Sequence, residues 1–133
     1  HLLSRRQRQM CIRDSSNAKN VLIEDITVIG GVQVLGASTA TLINVDITST
    51  GWHCVYLEGS TCSVTIEESA MHMGANSNGS HICTAGSPVP IYDGTDIVVK
   101  VAANVACYDK DGAQTELTYS GPGQLIDNTL VSE

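Results

Sequence analysis

A chain of 133 residues and 14.0 kDa is one domain or a piece of a larger one. Hydrophobic residues make up 42%, too many for simple disorder, but aromatics reach only 4% and Phe is absent, so any interior must be built from Val, Ile, Leu and Ala. The net charge of -7 argues against a nucleic-acid backbone as partner, and apolar runs of three or four residues leave no segment able to span a membrane.

Residues 1–15 differ from the rest. Arg5, Arg6, Arg8 and Arg13 crowd into this stretch, whereas the remainder holds thirteen carboxylates against Lys19, Lys100 and Lys110, about -10. HLLSRRQRQMCIRDS has neither strand nor helix periodicity, and no apolar run follows its basic start as a signal peptide requires. A basic interaction arm is one reading. The other, which we favour, is that Met10–Ser15 resembles translated sequencing-adapter read-through, so that residues 1–15 are a non-native or disordered tail on a natively longer chain.

Residues 16–90 repeat. Asp25-Ile26-Thr27 recurs as Asp46-Ile47-Thr48 at an offset of 21, which also carries Val21 to Leu42 and Gly30 to Gly51. At an offset of 22, Ala37-Ser38 matches Gly59-Ser60, Leu42 matches Val64 and Asp46 matches Glu68; Gly59-Ser60 returns as Gly86-Ser87 at 27, with the extra residues placed in 74–80. Each copy reads as short alternating strands broken by Gly, Ser, Thr or Asn. Leucine-rich repeats lack a match in spacing, and a propeller blade needs twice the length. Short strands repeating every 21–22 residues predict an all-β, right-handed parallel β-helix of about three coils, each strand pairing one coil away at about 4.8 Å. In NVLIEDITVIGGVQVLGAS and ATLINVDITSTGWHCVYLEGS the sequence resembles the parallel β-helix repeats of the pectate-lyase-like superfamily.

Beyond Pro88 and Pro90, residues 91–121 predict terminal strands and a hairpin around Asp109-Lys110-Asp111-Gly112, either a cap on the stack or the start of a separate β module. Residues 122–133 predict a flexible tail.

Cys54, Cys62, Cys83 and Cys107 are an even four, with Cys11 in the suspect tail. No CxxC spacing points to zinc or redox chemistry, and the choice between disulfides of undetermined pairing and small core residues stays open. The sequon Asn78-Gly79-Ser80 and the acidic balance favour a secreted or cell-surface protein.

Two constellations carry chemistry. At matching repeat positions, Asp25, Asp46 and Glu68 would stack about 4.8 Å apart, an oxygen-rich column suited to Ca²⁺ unless the three side chains splay into solvent. Trp52 and His53 follow the turn at Gly51, and with His72, Asn76 and Asn78 they outline a saccharide-binding edge on projecting loops. The alternative is ordinary turn residues, with Trp52 covering the stack.

An absence matters as much. Lyases of the resembled superfamily depend on a basic residue, commonly Arg, and no Arg lies beyond Arg13. The Gly-His-Gly and Arg-Ile-Lys of its hydrolases and the Asp-Pro-His type motif of its epimerases are also missing. The expected function is an extracellular carbohydrate-associated module without a complete active site, with a polysaccharide or glycan as partner. A second reading is a fragment of a polysaccharide lyase, epimerase or glycoside hydrolase whose catalytic residues lie elsewhere. A third is an ice-binding solenoid, in which Thr27 and Thr48 stack until Ala70 ends the ladder.

Overall fold

The computed structural model describes residues 10–12, 21–36, 38–59, 61–75, 79–85 and 96–128. They form thirteen strands and no helix: β1 (Met10–Ile12), β2 (Val21–Ile29), β3 (Val32–Gly36), β4 (Thr39–Ser49), β5 (Val55–Gly59), β6 (Ser63–Glu67), β7 (Ala70–Met73), β8 (Ile82–Ala85), β9 (Val98–Val101), β10 (Ala106–Tyr108), β11 (Gln114–Thr115), β12 (Tyr119–Ser120) and β13 (Gln124–Asp127). The protein is therefore all-β among the described residues, and none of them forms a helix long and apolar enough to cross a membrane.

The strands lie in two sheets. One has the order β1-β3-β5-β8-β12; the other runs β11-β10-β7-β4-β6-β9-β13, with β2 also on β4. Every described pair is parallel except the β10–β11 hairpin. The partner is the strand one sequence repeat away, as in Val32 opposite Val55 and Val55 opposite Ile82.

Alternation at period two decides what each strand buries. In β4, Ala40, Leu42, Val45, Ile47 and Ser49 face inward and the residues between face outward or lie half-buried. Successive strands then stack like on like. Ile23, Leu42, Ile66 and Val101 make one buried column, and Val28, Ile47, Met71 and Cys107 another. From the other sheet, Val32, Val55 and Ile82 supply a third. Each level of a column holds one residue of middling volume, so the interior is built without Phe.

β2 and β4 bend midway. Asp25, Asn44 and Glu68 occupy the left-handed region, with φ of 59°, 55° and 52°. The bend divides the long strand β4, so that Thr39–Ile43 pairs with β6 and Asp46–Ser49 with β7. Asn44 Nδ2 donates to Asp25 Oδ1 at 2.8 Å, which ties the first two corners together, and Asn104 Oδ1 accepts the Glu68 amide at 2.8 Å.

This register corrects the sequence repeat. Val21 lies opposite Ala40, not Leu42, and Ile26 opposite Val45, an offset of nineteen rather than 21. From β4 to β6 it is twenty-four, with Leu42 opposite Ile66 rather than Val64. Turn length is the reason: the turn after β2 is residues 30–31, that after β4 is 50–54, and that after β7 is 74–81. Matching Gly30 to Gly51 averages over this growth. Because the error is even, inward residues stay inward in either alignment. The threonine ladder does not survive: Thr27 faces Asp46, and Thr48 faces Ile29 and His72.

The hairpin around 109–112 forms as the sequence predicts. Cys107 pairs antiparallel with Thr115, and Asp109 Oδ1 accepts the amides of Asp111 and Ala113, both at 2.9 Å. These bonds make Asp109 a turn residue. Met10–Ile12, within the stretch expected as a tail, lies beside Val32–Val34, and Gln124–Asp127, within the expected flexible C-terminus, lies beside Val98–Val101.

Candidate functional site

Two turns of unequal length create a cleft. Gly30 and Gly31 leave β2 with φ of 113° and 107°, conformations that L side chains rarely adopt. A Cβ on Gly31 would stand 2.8 Å from the His53 carbonyl oxygen, so the next turn presses its backbone directly onto this one. Gly30 N donates to Thr48 O and Val32 N to Cys54 O, each at 2.8 Å, bracketing the contact. The longer turn over 50–54 has three residues to spare, and these carry Trp52 and His53 outward. From the third turn, Gly79 lies against the other side of His53, where any side chain would collide with the imidazole and the Trp52 carbonyl.

The result is a cavity of about 390 Å³ lined by Gly30, Gly31, Val32, Gln33, Thr50, Gly51, Trp52, His53 and Tyr56. Trp52 is 65% exposed, unusual for so large an apolar side chain. The His53 and Tyr56 rings are stacked, their centroids 6.0 Å apart and their planes within 11° of parallel. Ser80 N donates to His53 Nδ1 at 3.0 Å, which places the ring hydrogen on Nε2 in this arrangement; the Ser80 carbonyl oxygen lies 3.2 Å from the same nitrogen. The Tyr56 hydroxyl donates to Glu58 Oε1 at 2.8 Å. Burial, then the Glu58 carboxylate, push the Tyr56 phenol well above its ordinary value, so it remains a donor. Among the described residues, no Lys, Arg, Asp or Glu lines the cavity. Its means of recognition are ring faces, an amide, a hydroxyl and an imidazole.

Of the residues expected to form a saccharide-binding edge, the structure brings Trp52 and His53 together. His72 lies apart, on the outer face of the second sheet. There His72 Nε2 sits 2.9 Å from Asp46 Oδ1, and its ring stacks on Tyr108 at 4.6 Å and 6°. Asn76 and Asn78 lie outside the described residues. Sequence reasoning missed Tyr56, Gln33 and Glu58. The alternation Val55-Tyr56-Leu57-Glu58 marks Tyr56 and Glu58 as outward residues of one strand, a signal available in the sequence.

The carboxylate column is rearranged. Asp25 and Glu68 do stand at corresponding corners, but Asn44 stands between them, and Asp46 lies on the neighbouring row beside Thr27 and Ala70. Among the described residues no group of three or more His, Cys, Asp or Glu side chains is placed to hold a metal ion. The two-residue register difference in β2 moves Asp46 out of the column.

Cys54, Cys62, Cys83 and Cys107 are free thiols. Burial is the main cause that raises Cys54 and Cys107 to about 12 and Cys62 to about 11, so these three are core residues rather than nucleophiles. His81, also unforeseen, is 1% exposed. Its Nε2 donates to Tyr108 O at 2.9 Å, and its Nδ1 accepts the Thr118 amide at 3.2 Å. Burial holds it below its ordinary value, and the neutral ring clamps the hairpin onto the core.

No family model, no curated protein and no solved structure matches this chain.

Proposed function

We propose that the chain is a carbohydrate-associated module of an extracellular parallel β-helix, which holds a polysaccharide at the Trp52–His53–Tyr56 cleft and has no complete active site of its own. The observation that carries this reading is an indole left 65% exposed in an open cavity that the stacked His53 and Tyr56 also line. Pyranose rings present one apolar face and a rim of hydroxyls; a ring surface with Gln33, Thr50 and His53 around it offers contacts of both kinds.

The β-helix reading is supported by parallel pairing between successive repeats and by stacked inward columns. Right-handed coiling is favoured because parallel crossovers within one sheet take that hand in about 98% of cases. A location outside the cell is favoured by the acidic balance and the Asn78-Gly79-Ser80 sequon. Among the described residues His53 has no carboxylate partner to hold it as a general base, in keeping with binding rather than turnover.

The test is retention on insoluble polysaccharides. Cellulose, chitin, mannan, xylan and cross-linked pectin are packed as columns and loaded with the protein and with Trp52→Ala. Retention on at least one, lost in Trp52→Ala with an unchanged circular-dichroism spectrum, is the expected result. Free passage through all five would overturn the reading.

A further inference from the structure

We infer that the cleft selects an uncharged pyranose chain and disfavours a polyuronate; the inference rests on the glycan-binding reading above and narrows it to one chemical class. The nine lining residues include no Lys or Arg. The Ser80 amide and carbonyl both lie against His53 Nδ1, at 3.0 and 3.2 Å, and hold the imidazole in place at the cleft.

Among the described residues, the charge bonded to the cleft lining is of the wrong sign for a uronate. Glu58 follows Tyr56 by two residues on the same face of β5 and accepts its hydroxyl at 2.8 Å. A uronate carboxylate entering the cleft would shed water without gaining a cation and would meet the Glu58 carboxylate at short range. The chain as a whole, at -7, repels a polyanion before contact. A neutral sugar meets none of these costs. Its ring face lies on the exposed Trp52 indole, and its hydroxyls exchange hydrogen bonds with Gln33, Thr50 and His53. The two flanking glycines, Gly30 and Gly31, offer no side chain to obstruct its approach.

Trp52 is the only tryptophan, so intrinsic fluorescence reports on the cleft directly. The full chain is titrated with hexasaccharides of β-glucan, mannan and xylan, and with hexagalacturonate, at low and at moderate salt. We expect a blue shift of Trp52 emission with at least one neutral hexasaccharide. Hexagalacturonate should need roughly tenfold more ligand at low salt, with the gap narrowing as salt screens the repulsion. Hexagalacturonate binding as tightly as the best neutral ligand would overturn the inference and leave glycan binding standing. Silence from all four ligands, together with free passage on the five columns, would remove both.

A second variant keeps the test specific to this site. Thr50→Arg adds a cation to the lining and should raise hexagalacturonate affinity several-fold relative to that of the best neutral hexasaccharide. An unchanged hexagalacturonate affinity in Thr50→Arg would place binding outside this cleft and overturn the inference.

Discussion

At Glu68 the backbone takes a left-handed conformation, φ 52°, that costs an ordinary L residue about 1 kcal/mol and that Asn tolerates best after Gly. Asn44 already occupies the equivalent corner at φ 55°. Glu68→Asn should therefore stabilise the fold by about 0.5–1 kcal/mol, read as a rise of a few degrees in Tm. A fall in Tm would show that the Glu68 side chain contributes more than the strain it carries. The cysteines make a second expectation at this scale. With Cys11 replaced by Ser, the folded protein at pH 8 should present one readily modified thiol, the half-buried Cys83, to an aromatic disulfide reagent. Cys54, Cys62 and Cys107, raised to about 12, 11 and 12, should react only on unfolding. Two or more fast thiols would contradict the burial described.

Among elements, the β10–β11 hairpin pairs with β7 and is further tied to the stack by a buried histidine. His81 receives the Thr118 amide at Nδ1 and donates to Tyr108 O from Nε2, and the first of these bonds needs the neutral ring. Burial depresses its pKa below the ordinary 6.5; His72 adds to the depression, while the Tyr108 carbonyl and Asp109 oppose it. The unfolded chain thus takes up a proton near pH 6.5 that the folded chain resists. Stability is full above that pH and falls as the pH drops below it, by at most about 1.4 kcal/mol per pH unit. Urea unfolding between pH 7.5 and 5.5 should show this slope, and His81→Gln should flatten it while costing about 1–3 kcal/mol at pH 7.5. An equal slope in both proteins would assign the effect to other groups. The columns make a separate expectation. Leu42 is fully buried between Ile23 and Ile66, so Leu42→Ala should cost about 2–5 kcal/mol by urea titration. A cost below about 1 kcal/mol would mean the column closes around the gap.

For the whole molecule, the decisive feature is the graded length of its turns, from residues 30–31 to 50–54 to 74–81. Stacked strands keep a constant spacing, so extra residues in a turn have nowhere to go but outward. Trp52 and His53 project because their turn is longer than the one beneath, and the cleft is the step between the two. Trp52 stands exposed at this step.

Strand periodicity, the all-β class, the hairpin at Asp109 and the pairing of each strand with its counterpart one repeat away were legible in the residues, because each follows from local alternation and turn chemistry. So were Trp52 and His53, which sit beside a glycine in a turn. Register was not. An offset of 21 and one of nineteen bury the same faces, and only backbone pairing across the stack chose between them. That choice moved Asp46 from the column of Asp25 and Glu68 to the side of His72, and it separated Thr27 from Thr48. It also left His72 on the opposite sheet from the cleft. Inward or outward placement is a local property with a period of two; which outward residues become neighbours depends on the lengths of every turn between them, and those add up only in the folded chain.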